Sequence, residues 1–264
     1  ISSTPLIGDS EAMATVRRQI ATFGPLDQTV LITGETGTGK ECVARLLHDQ
    51  GRHPAAPFLP LNCAALPDAL AESELFGHVR GAFTGADTDM PGLIGAAGKG
   101  TVFLDEIASL SPRLQGVLLR VLETGDYRAV GDSRQRRRQA RVVVASNIPL
   151  ADAVAAGDFR ADLYYRLARF TILVPPLRDR LNDIPALCHH FIAHSGSGRT
   201  HLGIGRDLLG RLQRHDWPGN VRELRNEIER LLVLAPGTEA LTDDGMLALG
   251  NVYGNAYGNA YGNA

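Results

Sequence analysis

The segment Gly34-Glu-Thr-Gly-Thr-Gly-Lys40 constrains the fold of this chain more than any other. It follows the apolar run Thr29–Thr33, which predicts a strand, and it precedes a helical pattern over residues 40–50. In a strand–loop–helix unit, glycines at this spacing let backbone N–H groups turn inward around phosphates, and the helix N-terminus adds partial positive charge. We therefore predict a phosphate-binding loop in which Lys40 reaches the β- and γ-phosphates of a nucleotide. A glycine-rich turn formed by chance is the alternative.

The residue after the lysine departs from the usual pattern of such loops. Glu41 stands where a Ser or Thr hydroxyl ordinarily binds Mg²⁺, so the metal must be held mostly by phosphates, water and another carboxylate. Cys42 comes next, near a helix N-terminus, where the pKa of a thiol can fall. The predicted nucleotide contacts of this segment are Gly34, Glu35, Thr36, Gly37, Thr38, Gly39, Lys40, Glu41 and Cys42.

Two acidic residues follow a second apolar run, Val102-Phe-Leu-Asp105-Glu106. The run predicts a buried strand, and ligands of open α/β sheets bind at the carboxyl ends of such strands. We expect Asp105 to position Mg²⁺, directly or through water, and Glu106 to polarise the water that attacks the nucleotide. Capping of a following helix is the alternative role for the pair, and the nearby phosphate loop disfavours it.

Short apolar runs alternate with helical patterns over the first 174 residues. Runs that are apolar throughout, rather than at every second residue, indicate strands covered on both faces. The alternation therefore predicts an α/β fold with a parallel sheet of about five strands and helices on both sides. The strand candidates are Thr29–Thr33, Phe58–Leu61, Thr101–Leu104, Val142–Ala145 and Phe170–Val174.

After Pro175-Pro176 the pattern becomes wholly helical. The predicted helices are Asp183–His194, Arg206–His215 and one that starts at Asn220. Asn220 would be the N-cap of the last helix, with Glu223 as its reciprocal capping partner. The predicted divisions are an α/β nucleotide-binding domain over 1–174, a helical lid domain over 175–242, and a linker or tail over 243–264 that ends in three Tyr-Gly-Asn-Ala repeats.

Composition narrows the class of protein. The formal net charge is -2, so bulk electrostatics does not mark a nucleic-acid binder. No apolar run approaches the roughly 20 residues that span a bilayer, and no signal peptide is visible. The three cysteines show no paired spacing, which indicates reduced thiols in a cytoplasmic protein. Because the chain does not begin with Met, we expect it to be part of a longer protein.

The segment Gly81-Ala-Phe-Thr-Gly-Ala86 has no charge and no metal ligand, and it places one phenylalanine among small residues. A loop that exposes Phe83 predicts a contact surface, with Thr84 as a hydrogen-bonding group. Gly81 and Gly85 would let the loop change its conformation. A glycine-rich hairpin tip without function is the alternative.

Three segments together resemble the central AAA+ domain of sigma-54-dependent transcriptional activators, the bacterial enhancer-binding proteins. They are GETGTGKE at 34–41, GAFTGA at 81–86 and FLDE at 103–106, and the resemblance extends from Ile7-Gly8 to Trp217–Asn226. It implies an AAA+ P-loop NTPase with a helical lid, using ATP and Mg²⁺. It also implies an ATPase that remodels the closed promoter complex of sigma-54 RNA polymerase holoenzyme into the open one. The implied sigma-54 contacts are Gly81, Ala82, Phe83, Thr84, Gly85 and Ala86.

The resemblance further implies roles for residues outside these segments. Asn62 would restrain the catalytic Glu in some nucleotide states. Arg160 and Arg166 would act as arginine fingers on a neighbouring subunit, so the active unit would be a homo-oligomeric ring, hexameric in the family. A surface ion pair with Asp158 or Asp162 is the alternative for these arginines. The implied nucleotide sensors and base contacts are Asn147, Arg222, Ile7 and Gly8, with a solvated helix position as the alternative for Arg222.

Departures from the family leave other functions open. The family usually has Arg at position 90 and Phe-Glu at 94–95, and this chain has Met90, Ile94 and Gly95. In relatives, a Glu at the position of Gly95 helps to couple nucleotide state across the subunit boundary. A regulatory AAA+ module that binds nucleotide with weak or no turnover is therefore an alternative function. A protein-remodelling chaperone or helicase loader is another, which the GAFTGA segment disfavours.

A basic cluster lies near the predicted second pore loop, and it has two interpretations. Contact with promoter DNA or polymerase would use its charge, whereas a solvated charged loop would not. Enhancer DNA would be bound only through a further domain outside these residues. The cluster consists of Arg134, Arg136, Arg137, Arg138 and Arg141.

Overall fold

The structure, a computed structural model, describes residues 5–195, 202–234 and 240–241. The described strands are β1 (Val30–Thr33), β2 (Phe58–Asn62), β3 (Thr101–Asp105), β4 (Asp126–Tyr127), β5 (Arg136–Arg137), β6 (Arg141–Ser146), β7 (Thr171–Leu173), β8 (Gly203–Ile204) and β9 (Ala240–Leu241). The described α-helices are α1 (Glu11–Phe23), α2 (Lys40–Asp49), α3 (Asp68–Phe76), α4 (Gly92–Ala96), α5 (Pro112–Thr124), α6 (Leu150–Ala156), α7 (Ala161–Leu167), α8 (Ile184–His194), α9 (Arg206–Leu212) and α10 (Asn220–Leu234).

The chain divides into two compact units. One contains Glu11–Pro176, and the other contains Ile7–Ser10 together with the chain from Leu177 onward. The sequence-based division had grouped residues 7–10 with the α/β domain, whereas the structure packs them with the helical unit. The predicted tail over 243–264 lies outside the described residues.

The sheet of the first unit has five parallel strands in the order β2-β3-β6-β1-β7, which confirms the predicted fold class. Its side chains alternate between two apolar cores. Leu31 and Leu104 pack into the core that contains buried residues of α5 and α7. Ile32 and Phe103 pack into the core that contains buried residues of α1 and α2. Because both faces are covered, the central strands are apolar throughout rather than at every second residue.

The parallel register brings the carboxyl ends of four strands to one edge of the sheet. Thr33 of β1 pairs with Ser146 of β6, and Asn62 of β2 pairs with Asp105 of β3. Strand β3 also pairs with β6, so the four strand ends follow one another across the sheet. The segments that leave these ends therefore begin side by side, where open α/β sheets bind their ligands.

The second unit has a core in which buried residues of α8, α9 and α10 surround Trp217. It is not wholly helical as predicted, because β8 and β9 form a two-residue parallel ladder. Such a ladder is too short to give a period-two pattern in the sequence. No helix in the described part of the chain is long and apolar enough to cross a membrane.

Helix α10 begins at Asn220 as predicted, but its N-terminal contacts differ from the predicted capping box. The Glu223 carboxylate accepts a hydrogen bond from the Gly219 N–H at 2.8 Å. The Asn220 side chain instead accepts one from the Leu177 N–H at 2.7 Å. Asn220 therefore fixes the first residue of the helical unit to the start of α10.

Candidate functional site

The phosphate loop leaves β1 at Thr33 and enters α2 at Lys40. Gly34 has a φ of +151°, and a Cβ there would lie 2.6 Å from the Val174 carbonyl oxygen. A larger residue would therefore force the loop away from the sheet. Gly39 precedes the helix in a left-handed conformation and makes no side-chain cap. The first N–H groups of α2 thus face the loop as anion-binding donors.

Lys40 lies within the curve of this loop. Its side chain is buried, and its Nζ donates hydrogen bonds to the carbonyl oxygens of Gly34 at 2.7 Å and Glu35 at 3.0 Å. The Thr38 hydroxyl also donates to the Glu35 carbonyl at 2.8 Å. These bonds hold a cation at the mouth of a loop built from backbone donors, which is the arrangement that recognises phosphate groups.

Glu41 and Cys42 lie at the start of α2 and depart from the expected chemistry. The Glu41 carboxylate pairs with Arg45 at 2.9 Å, one turn further along the helix. Burial raises the pKa of the Cys42 thiol, and the Glu41 carboxylate raises it further. The pKa is thus raised rather than lowered, and loss of solvent around the thiol is the largest cause.

Asp105 is the last residue of β3 and Glu106 follows it, so both lie at the carboxyl end of a buried strand, as predicted. Asp105 pairs in register with Asn62, and its Oδ1 accepts a hydrogen bond from the Glu106 N–H at 2.9 Å. Glu106 has a φ of +55°, a left-handed conformation that a glutamate rarely adopts. The backbone therefore turns sharply between the two carboxylates.

Asn62 begins a short 3-10 turn, Cys63–Ala65, and its Oδ1 accepts the Ala64 N–H at 2.8 Å. Cys63 was missed by the sequence analysis. Burial raises the pKa of its thiol to about 12, with Asp105 and Glu106 raising it further. The thiol is thus neutral and lies close enough to the acid pair to be influenced by its charge.

Asn147 connects the end of β6 to the phosphate loop. Its Nδ2 donates to the Thr36 hydroxyl at 3.5 Å. The preceding Ser146 is fully buried and donates to the Ile148 carbonyl at 2.6 Å, which fixes the turn that carries Asn147. The structure therefore brings the predicted first sensor to the phosphate loop.

The predicted arginine fingers lie at the two ends of α7. Arg160 forms an ion pair with Asp162 at 2.7 Å, and its backbone N–H donates to the Gln115 side chain at 2.8 Å. Arg166 donates to the Leu122 carbonyl at 2.8 Å, in the last turn of α5. The ion pair that was the alternative for Arg160 is therefore present within the chain. Both arginine side chains belong to exposed residues.

The GAFTGA loop (Gly81–Ala86) is a compact turn inserted between α3 and α4. The Gly81 N–H donates to the Ala86 carbonyl at 2.9 Å, and the Ala86 N–H donates to the Phe83 carbonyl at 3.0 Å. Phe83 is 40% exposed, and its ring meets the His78 ring edge-on at 5.0 Å between centroids. The loop thus presents an apolar side chain that is anchored on one side and open on the other.

The second loop (residues 126–138) is hydrogen-bonded to the base of the GAFTGA loop. The Val79 N–H donates to the Val130 carbonyl at 3.1 Å, and the Val130 N–H donates to the Gly77 carbonyl at 2.8 Å. A Cβ at Gly131 would approach the Ala82 Cβ to 2.7 Å. The two loops are therefore in direct contact.

Most arginines of the basic cluster near the second loop form ion pairs or hydrogen bonds within the chain. Arg134 and Arg136 pair with Asp132 at 3.1 Å and 3.2 Å, and the hydrogen bonds from Arg134 lower the pKa of Asp132 to about 2. Arg138 donates to the Ala140 carbonyl. Arg141 is buried and does not belong to the loop surface, contrary to the sequence-based grouping. Contact with promoter DNA stays a prediction.

Gly95 of α4 is a position at which this chain differs from the usual family sequence. The structure shows what a side chain at this position would meet. A Cβ at this position would lie 3.1 Å from the Tyr127 hydroxyl and 3.5 Å from the Pro91 Cβ. Tyr127 belongs to β4 in the second loop and is buried, which raises its pKa. A glutamate could enter here only if the tyrosine moved.

The predicted base and γ-phosphate contacts of the helical unit are Ile7, Gly8 and Arg222. Ile7 packs against the apolar core of that unit, and Gly8 is buried. Arg222 is exposed on the first turn of α10.

Comparison with known proteins decides the family. Residues 6–173 match the family described as the sigma-54 interaction domain, and residues 178–246 match the AAA+ ATPase lid domain. The chain belongs to the sigma-54 interaction domain family. Its fold is that of an AAA+ P-loop NTPase with a lid, as the resemblance implied.

Curated relatives are similar to this protein over nearly the whole chain. The anaerobic nitric oxide reductase transcription regulator NorR of Salmonella paratyphi C is 48% identical over 91% of this chain and 48% of its own length. NorR of Salmonella arizonae shows the same identity and coverage. The chain therefore spans about half the length of the curated relatives it matches.

Solved structures agree with the fold. A crystal structure of NtrX from Brucella abortus has a TM-score of 0.84 at 35% identity, covering 93% of this chain and 57% of that one. Crystal structures of the same protein in complex with ADP and with ATP have TM-scores of 0.83 and 0.82 at 34% identity. They cover 92% of this chain and 54% and 56% of theirs, respectively.

Proposed function

We propose that this domain hydrolyses ATP and uses the energy to move the GAFTGA loop against sigma-54. That motion remodels the closed promoter complex of the sigma-54 RNA polymerase holoenzyme into the open, transcribing one. The strand register is the observation that carries the proposal. It sets Asn62 and Asp105 side by side at the sheet edge from which the phosphate loop departs.

Nucleotide binding uses the phosphate loop and one carboxylate. Lys40 and the N–H groups of α2 bind the phosphates. Asp105 supplies the hard oxygen donor that suits Mg²⁺, and Glu41 is engaged with Arg45. Among the described residues, no group of three or more His, Cys, Asp or Glu side chains could hold a metal. This fits a cation that keeps several waters and uses phosphate ligands. When bound, Mg²⁺ would neutralise charge on the transferring phosphate.

Glu106 performs the hydrolytic role. Its carboxylate accepts a proton from the attacking water and so orients that water toward the γ-phosphate. Asn62 lies on the neighbouring strand end and restrains this carboxylate in some nucleotide states. Asn147 contacts the phosphate loop through Thr36 and so senses the phosphate group that the loop holds.

Arg160 and Arg166 stabilise the charge that develops on the γ-phosphate bound by a neighbouring subunit. The Arg160–Asp162 pair supports this role, because an exposed ion pair contributes little stability and its arginine can exchange partners. Since these arginines act in trans, the active form is a ring of identical subunits. ATPase activity then depends on assembly.

The strand ends that carry Asn62 and Asp105 are joined to the GAFTGA loop through the chain itself. Strand β2 ends at Asn62 and leads through a 3-10 turn into α3, and α3 leads into the loop. The loop returns through α4 directly into β3, which ends at Asp105. The loop is therefore an insertion in the connection between the two strands that carry Asn62 and the acid pair. A displacement of the ends of β2 and β3 would therefore be transmitted to the GAFTGA loop from both sides.

A nucleotide-binding module with weak or no turnover is the second candidate. The Gly95 departure favours it, because this chain has no side chain where relatives carry the glutamate that couples neighbouring subunits, and a Cβ there would lie 3.1 Å from the Tyr127 hydroxyl. The presence of Lys40, Asp105 and Glu106 in the expected arrangement favours hydrolysis.

Promoter opening tests the proposed function. Purified domain is added to closed complexes of the sigma-54 holoenzyme, with ATP or a non-hydrolysable analogue, and opening is followed by footprinting of unpaired bases. We expect opening only with ATP, and none with a holoenzyme that carries a different sigma factor. Opening without hydrolysable nucleotide, or with either sigma factor, would contradict the proposal.

A further inference from the structure

His78 lies between the end of α3 and the GAFTGA loop, and its backbone pairs with the segment that returns from the loop. The His78 N–H donates to the Met90 carbonyl at 2.9 Å, and the Met90 N–H donates to the His78 carbonyl at 2.8 Å. The preceding Gly77 turns the chain with a φ of +79°, and a Cβ there would collide with the Met90 carbonyl oxygen. The imidazole therefore starts from a closely fixed point of the main chain at the base of the loop.

The side chain of His78 is held by α3. Its Nδ1 shares a hydrogen bond with the Ser73 Oγ, and the two atoms lie 2.7 Å apart. Ser73 is 4% exposed and belongs to the last turn of α3. Because a buried hydroxyl without a partner is costly, the serine favours the imidazole orientation that keeps this bond. The hydrogen bond therefore restricts the rotation of the histidine ring.

The same imidazole meets the exposed phenylalanine of the GAFTGA loop. The ring centroids of His78 and Phe83 are 5.0 Å apart with an angle of 65° between the planes, an edge-to-face geometry that aromatic pairs prefer. Gly81 and Gly85, on either side of Phe83, are loosely surrounded. No atom of the described residues beyond their chain neighbours lies within 4 Å of where their Cβ would be. The contact with His78 therefore limits the direction in which the Phe83 ring points.

We infer that His78 is a positioning residue for the contact with sigma-54. Its contacts join the buried Ser73 of α3 to the exposed ring of Phe83. The inference rests on the proposed function, in which Phe83 contacts sigma-54. The histidine holds the phenylalanine in its binding direction beforehand, so that less conformational freedom is lost when sigma-54 binds. Loss of the imidazole weakens sigma-54 binding and leaves ATP hydrolysis unaltered.

A double-mutant cycle tests whether His78 acts through Phe83. Binding of fluorescently labelled sigma-54 to the assembled domain is measured by anisotropy for the wild type, His78→Asn, Phe83→Ala and the double variant. Asparagine keeps a polar atom at the same place in the side chain as Nδ1 but removes the ring. Loss of an edge-to-face pair should raise the Kd for sigma-54 about three- to tenfold. In the Phe83→Ala background, His78→Asn should change the Kd by less than about twofold, because the ring that it positions is already absent.

Ser73→Ala tests the other contact of the histidine. It removes the hydroxyl that orients the imidazole, so the Kd for sigma-54 should rise about fivefold when Phe83 is present and less than about twofold when it is alanine. The ATPase rate of each single variant should stay within about twofold of the wild type. His53→Asn is a matched change at an exposed histidine after α2 and should alter neither the Kd nor the ATPase rate.

The outcomes separate this inference from the function on which it rests. Unchanged sigma-54 binding by either single variant, His78→Asn or Ser73→Ala, or a matching loss of ATPase activity, would overturn the inference only. So would equal weakening by His78→Asn with and without Phe83, because the histidine would then act through the loop backbone. If one of these variants fails to fold, the other carries the test. Unchanged binding by Phe83→Ala itself would overturn the proposed sigma-54 contact and the inference together.

Discussion

Glu106 occupies a left-handed backbone conformation immediately after the buried strand β3. For a residue with a Cβ, this conformation costs about 1–3 kcal/mol, and such strain is concentrated at functional sites. Glycine would adopt the same conformation without the cost. The sequence therefore keeps a strained carboxylate where a relaxed residue would be more stable, which is the pattern expected of a catalytic group.

Substitutions at Glu106 should separate stability from turnover. Glu106→Gln keeps the side-chain shape but cannot accept a proton, so the ATPase rate should fall by about 10²–10⁴ while ATP binding is retained. Glu106→Gly should abolish turnover as well and raise the Tm, because it relieves the backbone strain. Steady-state phosphate release and thermal melts measure both effects. A fully active Glu106→Gln variant would rule out the general-base role.

Gly95 leaves little room for a side chain beside Tyr127. Gly95→Ala in a helix ordinarily gains up to about 1 kcal/mol of stability. Here the new methyl group would lie 3.1 Å from the Tyr127 hydroxyl, which must give way. We expect the substitution to stabilise the domain more in a Tyr127→Phe background than in the wild type. Denaturant unfolding of the wild type, the two single variants and the double variant measures the coupling between the two substitutions. If their changes in the free energy of unfolding simply add, the space beside Tyr127 is not tight.

Arg141 shows how one residue joins several elements. Its guanidinium donates to the carbonyl oxygens of Phe23 and Gly24 at the end of α1, of Leu47 in α2, and of Gln28 before β1. These bonds fix the ends of two helices to the amino end of β6. The arginine therefore stabilises the layer on which the phosphate loop is built.

Loss of Arg141 should destabilise the first unit. Arg141→Ala leaves four backbone acceptors without their donor, so we expect a loss of about 3 kcal/mol or more in the free energy of unfolding. Arg137→Ala, at an exposed position of the same basic cluster, should change it by less than about 0.5 kcal/mol. Urea unfolding compares the two. Equal effects would mean that Arg141 is not a structural anchor.

The proposed role of the GAFTGA loop in binding sigma-54 can be tested at Phe83. Phe83→Ala removes the exposed ring, whereas Phe83→Tyr keeps an aromatic contact with His78. Truncating an apolar anchor at an interface commonly costs about 2 kcal/mol or more, so Phe83→Ala should weaken sigma-54 binding at least about 30-fold. The ATPase rate should stay near that of the wild type, because the catalytic edge is untouched. If Phe83→Ala binds sigma-54 as tightly as the wild type, Phe83 is not part of the contact surface.

The sheet and the loop that enters α2 could be predicted from the sequence because their signals are local. Continuous apolar runs predicted the central strands, and the glycines before Lys40 predicted the loop. The hydrogen bonds between Ser10 and Asp183 and the proximity of Gly95 to Tyr127 could not be predicted, because each pair lies on segments distant in the sequence without a periodic pattern. The burial of Arg141 could not be predicted either, because a run of arginines has the same sequence pattern whether its members are buried or exposed.

At the scale of the whole molecule, the proposed activity requires more than one chain. Arg160 and Arg166 are exposed and interact within their own subunit through contacts that can be exchanged. If they complete the site of a neighbour, the ATPase rate per subunit must rise with protein concentration. The chain spans about half the length of its relatives NorR.

Mixing two inactive variants tests the central claim most directly. Arg160→Ala retains an intact phosphate loop, and Lys40→Ala retains an intact arginine finger. In an equal mixture, one interface in four joins an intact site to an intact finger, so about a quarter of the wild-type ATPase rate should return. A mixture as inactive as its components, at concentrations where the wild type is active, would contradict hydrolysis by a ring with fingers in trans.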